Sequence, residues 1–430
     1  MSPFLNLLGC KPTRITLRIG VRPGNWAKIR KKRKYSLCPY FARRKMARNS
    51  QQKPAQSSIE AGAFGARLQK LLLQLAAPRN IHHAVVAVEK GDGTIRWSGA
   101  VGKADPDGRP MGTDTPFWIA SVTKLYIASS ILKLMERGLV HLEVPMSTYL
   151  PKSLIGGLHR LNGVDYTGQI TIHHLLGHLS GLPDYFDERP PGGKSLLEQL
   201  IERDFAFTIQ DTLDMVRDRL TPHFPPQPLD GRRPKVRYSD TNYQLLIAIV
   251  EAVTGQPIQT ALADLIFKPL GLEQTWHPAA KPESVSPATI WLDKRPLNIP
   301  LAMRSFGDLI STAADLLRFM RALARGEVFD APTTFNLMIE RWHTFGFSLN
   351  PARTSPGWPI QYGLGTMRFQ IPRALSPFRS TPPVIGHTGS TGSWLFYCPT
   401  LDFYLAGTVD QVAEAAAPFQ FVPKLLHTLA

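Results

Sequence analysis

The sequence predicts an α+β fold: an antiparallel β-sheet flanked by helices, with a mostly helical subdomain inserted between the parts that build the sheet. Three observations predict it. Strand-like runs occur at both ends of the body of the chain, at 83–101 and 362–408. The stretch from about 140 to 300 alternates helical segments with long Pro- and Gly-rich connections. No run approaches the ~18 to 20 apolar residues of a membrane span. The most apolar helix, Ile119 to Met135, is interrupted by Ser121, Lys124 and Lys133 and reads as a core helix.

The elements follow in order. Leu68, Leu71, Leu72 and Leu75 recur at steps of three and four, an amphipathic helix that ends before Pro78. His83–Val88 and Thr94–Val101 read as two strands, with Gly91-Asp92-Gly93 as the hairpin turn. A helix from about Ser121 to Arg137 stops at Gly138. Ile172–Leu176, Thr241–Val253 and Ile258–Phe267 are helical, and Gly255 and Pro257 close the second of them. Thr312–Arg325 is a further helix. Tyr362–Phe369, Ser393–Tyr397 and Phe403–Thr408 are short strands, and a last helix covers about 414–429. Pairing the early hairpin with the late strands gives one sheet with helices on it. The expected lobes are a sheet lobe (about 56–138 and 305–430) and a helical lobe (about 139–304), with the ligand site between them.

The 430-residue chain has a net charge of +17, and that charge is localised. Fifteen of its 50 Lys and Arg residues lie in 1–55, which contains no Asp or Glu. The remainder holds 35 basic against 33 acidic residues, so the body is nearly neutral and no nucleic-acid partner is expected for it. Residues 1–55 are expected to be a disordered N-terminal extension, because like charges repel and little apolar surface is available to bury. Three readings of it stay open. It is similar to an organelle transit segment, it is an extension ahead of a start at Met46, or it is a tail that touches nucleic acid or an anionic membrane surface. Phe4–Leu8 is too short for a secretory core, and the charges follow it. The cytoplasm is therefore the default expectation for compartment. The sequence sets no oligomeric state. Cys398 is the one cysteine of the body, so no internal disulfide and no metal-ligand cysteine spacing exist there. It reads as a small core residue.

The chemistry gathers at Phe117-Trp118-Ile119-Ala120-Ser121-Val122-Thr123-Lys124. Ser121 and Lys124, three apart at a helix start, lie on one face. A serine hydroxyl needs a neighbouring base. A lysine serves if burial lowers its pKa, and the apolar flanks of Lys124 supply such a setting. The helix start adds free N–H groups and a positive dipole end. Alone, Ser-x-x-Lys is a weak signal. Two further segments supply context: Tyr238-Ser239-Asp240-Thr241-Asn242-Tyr243 before an apolar helix, and Gly386-His387-Thr388-Gly389-Ser390-Thr391-Gly392 between late strands.

The order and separation of these segments resemble the three motifs of the penicillin-recognising serine enzymes: Ser-x-x-Lys, Tyr-x-Asn, and Lys-Thr-Gly or His-Thr-Gly. The nearest branch holds class C β-lactamases, D-alanyl-D-alanine carboxypeptidases and related esterases. Ile172-His173-His174-Leu175-Leu176-Gly177-His178-Leu179-Ser180-Gly181-Leu182-Pro183 is similar to that branch's connecting segment. Phe267-Lys268-Pro269-Leu270-Gly271-Leu272, Ser311–Leu316 and Tyr362-Gly363-Leu364-Gly365 match other habitual phrases. The likeness runs from about residue 60 to the C-terminus and implies a β-lactamase/transpeptidase-like fold.

It also implies roles. Ser121 attacks an acyl carbon, and Lys124 and Tyr238 share the proton transfers, with the identity of the base left open. The backbone N–H groups of Ser121 and Ser390 form the oxyanion hole. His387 and Thr388 line the substrate channel and bind a carboxylate, and Gly389 leaves room for substrate beside the strand. No metal and no cofactor are implied. The expected function is a serine hydrolase that cleaves a small ester or D-amino-acid peptide through an acyl-enzyme. The alternatives are a β-lactamase, or a non-catalytic binding protein on the same fold.

Two departures bear on substrate. Asp240 stands where the motif usually has Asn; an ionised carboxylate accepts hydrogen bonds but donates none, so amide recognition changes at this substrate-binding position. His387 replaces Lys and is mostly neutral near pH 7, which offers less to an anionic β-lactam. Among other residues, His174 and His178, four apart, are expected to be structural, because no Glu sits between them in the zinc-protease pattern. Gly363 and Gly365 are expected as a strand pair. Asp184 and Tyr185 fall in a loop near the cleft, expected at the surface, with Tyr185 a substrate-contact candidate.

Overall fold

Val85 and Ala87 face one side of their strand while Ala84, Val86 and Val88 face the other, and all five are buried. A strand alternates its side chains, so a strand apolar on both faces must be covered on both. The computed structural model, which describes residues 57–231, 233–280, 285–345, 358–371 and 381–430, has that layered arrangement. The basic segment 1–55 lies outside the described residues.

Eight strands form one antiparallel sheet: β1 (His83–Lys90), β2 (Arg96–Gly102), β3 (His343–Phe345), β4 (Ile360–Tyr362), β5 (Met367–Phe369), β6 (Val384–Thr388), β7 (Trp394–Cys398) and β8 (Phe403–Thr408). Their order is β2-β1-β8-β7-β6-β5-β4-β3. The predicted union of the early hairpin with the late strands is the β1–β8 pairing, in which Val85 lies opposite Thr408 and Lys90 opposite Phe403. Helices α1 (Ser57–Leu75) and α6 (Ala417–Leu429) cover one face through Leu68, Leu72, Val422 and Leu425. The other face meets α5 (Ala313–Ala324) through Leu316, Phe319 and Leu323. Each fully buried Leu or Phe contributes roughly 1.5–3 kcal/mol of transfer free energy, so the two-sided core accounts for a sheet that lacks disulfide support. Cys398 is free and buried within it, as expected.

Three other helices position the site: α2 (Thr123–Glu136), α3 (Ile172–Leu176) and α4 (Asp240–Thr254). The middle of the chain carries further helices at Leu196–Glu202, Ile209–Arg219 and Pro300–Phe306, which the apolar periodicity did not single out. Among the described residues no single helix is long and apolar enough to cross a membrane.

Two expectations are corrected here. Tyr362–Phe369 is not one strand but the hairpin β4–β5, with Gly363 and Gly365 in its turn. The φ of +69° at Gly365 explains the glycine, and a Cβ there would sit 2.2 Å from Ala128 Cβ. The segment Gly386–Gly392, read as lying between strands, begins inside one, since Val384–Thr388 is the strand β6. Its polar His387 and Thr388 hid the strand pattern.

Candidate active site

The serine sits on a pinned turn. Phe117–Trp118 pairs with Ile310–Ser311, and the Ile119 N–H donates to Leu309 O at 3.1 Å. From the sheet side, Ser393 Oγ donates to Ile119 O at 2.8 Å and Thr391 Oγ1 to Trp118 O at 3.1 Å. Ala120, buried, takes a left-handed φ of +44° that costs an L-residue roughly 1–2 kcal/mol. A short 3-10 turn over Ala120–Val122 then leads into α2. The serine is thus held half-buried at the mouth of a helix.

Lys124 and Ser121 do converge: Lys124 Nζ donates to Ser121 Oγ at 2.9 Å. Lys124 also donates to Asp240 Oδ1 in a tight ion pair. Its ammonium lies 5.0 Å from the centroid of the Tyr238 ring and 5.4 Å from that of Tyr243, within the range of a cation–π contact. Tyr238, on the loop before α4, completes the cluster. Burial pushes its phenol above the ordinary tyrosine value, while Lys124 and Ser121, both acting on the hydroxyl, pull it back.

The sign of the Lys124 shift reverses the expectation. Burial is the largest single influence and lowers the amine, as the sequence suggested, but Asp240 first, then Tyr238 and Asp308, together outweigh it. Lys124 is held well above the usual lysine value. A carboxylate in contact with an ammonium in a poorly solvated setting favours the charged form. Asp240, expected at a substrate contact, is the counter-ion of Lys124.

His387 is turned away from the cavity, contrary to expectation. It is fully buried in β6, its Nε2 3.0 Å from Tyr362 Oη and its Nδ1 2.6 Å from Thr388 O. Burial, then the charge of Lys124, lowers it to about 3, so it is neutral and cannot pair with a substrate carboxylate. The reason is strand alternation: adjacent residues of β6 point to opposite faces, and Thr388 takes the cavity side.

Gly389 has a second role. It lines the cavity, and a Cβ there would lie 2.6 Å from Ile119 O and 2.9 Å from Ala120 Cβ, so the glycine also makes room for the serine's own turn. Ser390 is exposed at the next position and lines the cavity with Ser121. Its neighbours' amides are engaged, Gly389 N–H with Ser393 O at 2.8 Å and Gly392 N–H with Gly389 O at 2.9 Å.

The cavity in front of Ser121 measures about 760 Å³. Apolar side chains such as Leu200, Ile247, Ile299 and Phe306 make much of its wall. Asp184 and Tyr185 line it and are each only 3% exposed, not surface loop residues as expected. The Tyr185 hydroxyl accepts from Gln244 Nε2 at 3.0 Å. Asp308, with no sequence motif around it, lines the wall as well. Its burial, with Asp240 nearby and partly offset by Lys124, pushes it up to about 7. The cations of the lining are Lys124 and Arg237, and both are engaged: Lys124 by Asp240, Arg237 by Glu188 Oε1 at 2.8 Å. His174 is structural, as expected, joined to Thr171 at the start of α3 and to Gln227 O. Among the described residues no group of three His, Cys, Asp or Glu side chains is placed to hold a metal ion.

Comparison with known proteins places this geometry. Residues 68–418 match the Beta-lactamase family. The chain belongs to that family. It is 33% identical over 234 residues to Esterase EstB of Burkholderia gladioli, a match covering 54% of this chain and 56% of that one. The chain thus spans little more than half the length of that curated relative. Its fold superposes on a D-stereospecific amidohydrolase from Streptomyces sp. with a TM-score of 0.60 at 26% identity, covering 83% of this chain and 97% of the other. It also superposes on EstCE1, described as a hydrolase with promiscuous acyltransferase activity, with a TM-score of 0.68 at 22% identity, covering 86% and 100%. The last likeness is one of fold alone. The expected β-lactamase/transpeptidase-like architecture is the one this family member has.

Proposed function

We propose that this family member is a serine hydrolase that forms an acyl-enzyme on Ser121 and cleaves small esters, or amides of D-amino acids, whose acyl part carries no free carboxylate. The observation that carries it is the contact chain from Ser121 Oγ to Lys124 Nζ at 2.9 Å and on to Asp240, with the Tyr238 ring beside it at the wall of an apolar cavity. The names of an esterase and a D-stereospecific amidohydrolase among its relatives support the same reaction class. In this reading the cavity opens between a sheet lobe (56–138 and 305–430) and a helical lobe (139–304).

The steps follow from the charges. Lys124 stays an ammonium, so the reacting form is the minor one in which Tyr238 has already released its own proton to solvent and stands as a phenolate beside that cation; the proton of Ser121 goes to this phenolate oxygen. Oγ bonds to the acyl carbon, and the carbonyl oxygen becomes an oxyanion held by the amides of Ser121 and Ser390. Collapse breaks the bond to the leaving alkoxide or amine, which takes the proton from Tyr238. Water then enters, gives a proton to Tyr238, attacks the ester on Ser121, and the proton returns to Oγ as the acid leaves. Thr388 and Tyr185 flank the substrate.

The preference for esters or blocked amides over β-lactams and carboxyl-terminal peptides rests on the lining. A substrate carboxylate would meet the Asp240 carboxylate, an Asp308 that ionises as pH rises through about 7, and two cations that are already paired. Like charges at close range disfavour binding. A fluorophosphonate probe tests the reaction class: intact mass must show one adduct on the wild type and none on Ser121→Ala. No adduct on the wild type, together with no hydrolysis across a p-nitrophenyl ester panel, would sink the reading.

A further inference from the structure

Tyr238 belongs to a loop, not to the helix that follows it. α4 starts at Asp240, and the Ser239 side chain gives no cap. Something else must hold a phenol that has to meet Ser121 and Lys124. The peptide groups on both sides of Tyr238 run to a single residue. The Arg237 N–H donates to His178 O at 3.1 Å, and the Ser239 N–H donates to His178 Nδ1 at 3.2 Å. Between these two anchors the Tyr238 ring lies against the imidazole, with centroids 4.4 Å apart and planes at 35°.

The imidazole is itself fixed. Asn242, in the first turn of α4, places its Nδ2 3.0 Å from the same Nδ1, and its Oδ1 accepts from Ser180 Oγ at 2.6 Å. A backbone N–H can only donate, so Nδ1 is the bare nitrogen and the ring proton sits on Nε2. That Nε2 is fully buried and has no hydrogen-bond partner among the described residues. The ring is enclosed by Tyr362 and Tyr243, with centroids at 4.6 and 5.2 Å. His178 also has a left-handed backbone, φ +57°. An unpaired buried donor and an unfavourable backbone at one residue are retained only where the surroundings over-determine them, and such outliers cluster at functional sites. His178 does not line the cavity, so it acts through another residue.

We infer that His178 is the positioning residue for Tyr238: its carbonyl, its Nδ1 and its ring face together set the phenol against Ser121 and Lys124. The inference rests on Tyr238 being the proton acceptor of the hydrolase reading. The clamp requires a neutral ring, since a protonated Nδ1 cannot accept from Ser239. Burial, then the charge of Lys124, keeps it neutral by holding its pKa well below the ordinary histidine value.

Two substitutions in the full chain separate the contacts. His178→Asn keeps an acceptor oxygen near the Nδ1 position and tolerates the left-handed backbone, but loses the ring. His178→Phe keeps a ring face and loses the acceptor. The first readout is the ¹³Cζ-tyrosine NMR signal of Tyr238, identified by its disappearance in Tyr238→Phe. It should move in both variants and its alkaline titration should shift, more so in His178→Phe. The second is hydrolysis of p-nitrophenyl acetate: kcat should fall about 100-fold in His178→Phe and about tenfold in His178→Asn, with KM within about twofold, as a misplaced proton acceptor requires. A folded His178→Phe whose Tyr238 signal and titration coincide with wild type overturns the inference, and so does a raised KM with kcat preserved. If His178→Phe does not fold, His178→Asn decides by the same two readouts. A wild type that hydrolyses no ester overturns the hydrolase reading alone, because the NMR signal still reports whether His178 places Tyr238.

Discussion

Asp240 holds the Lys124 ammonium in an ion pair while the same nitrogen donates to Ser121 Oγ at 2.9 Å. A carboxylate at a position where the motif usually has an amide thus fixes the charge of the group next to the nucleophile. Removing it is the most direct test. In Asp240→Asn the largest raising influence on Lys124 is gone, and burial, which lowers the amine, dominates. The alkaline limb of kcat/KM on p-nitrophenyl acetate should move down by about one pH unit or more. A limb that stays in place would show that Lys124 does not need Asp240 to remain charged.

Tyr238→Phe removes the proposed proton acceptor and leaves the ring packed against His178 and Phe345. Acylation should slow by about 10²- to 10⁴-fold, the usual worth of a positioned acid–base group. Lys124→Ala should lose ~10²-fold or more, because the cation that stabilises the Tyr238 phenolate is removed. Single-turnover labelling by a fluorophosphonate measures both. Near wild-type labelling of Tyr238→Phe would reassign the base.

Substrate charge should matter, with a pH dependence. Asp308, half-buried at the cavity wall, ionises near 7 because its burial disfavours the charged form. Above that pH the wall gains a negative charge. KM for an ester with a cationic acyl group should therefore fall as pH rises through 7, KM for a neutral ester should stay level, and a carboxylate-bearing ester should bind worst throughout. Asp308→Asn should flatten the first trend. Matched KM values for the three esters across pH 6 to 8 would contradict this view of the wall.

Gly389→Ala would drive a Cβ to 2.6 Å from Ile119 O, a backbone atom that cannot swing aside. Overpacking of this kind costs about 1–3 kcal/mol. The turn that yields carries Ser121, so kcat should fall further than the loss of stability explains. Thermal unfolding beside a rate assay gives the comparison, and an active, stable Gly389→Ala would mean that the sheet and the serine turn are not in contact.

Acid should weaken the fold through His387. Its native value of about 3 lies below the ordinary 6.5, so between these values the unfolded chain binds a proton that the folded one does not. The associated stability is present above about 6.5 and is lost as pH falls toward 3, at up to about 1.4 kcal/mol per pH unit. Urea midpoints for wild type and His387→Gln between pH 4 and 7 should converge as pH drops. Parallel curves would place His387 in solvent.

Much of this was legible in the sequence because it is local. The periodicity of Leu68 to Leu75, the Gly-Asp-Gly turn and the stop at Gly255 each depend on neighbours within a few residues, and each marks an element that is present. Ser121 and Lys124 share a helical face by spacing alone. What failed had a non-local cause. Gly365 looked like a strand residue because the turn that needs it is identified only when β5 pairs back on β4. His387 looked like a channel residue because no pattern tells which face of β6 meets the cavity. Asp308 has no surrounding signature, and it matters only because folding sets it near Lys124 and Asp240 across more than sixty residues of chain.

By itself, the sequence determined the elements with strong local periodicity, the order of the three reactive segments, and the pairing of a serine with a lysine one turn on. Tertiary structure decided the charges. Whether Lys124 is an amine or an ammonium, and whether His387 touches substrate or the core, depends on which distant groups share its low-dielectric surroundings. Electrostatic energy there is set by distance and solvent access, and neither is written into the order of residues along the chain.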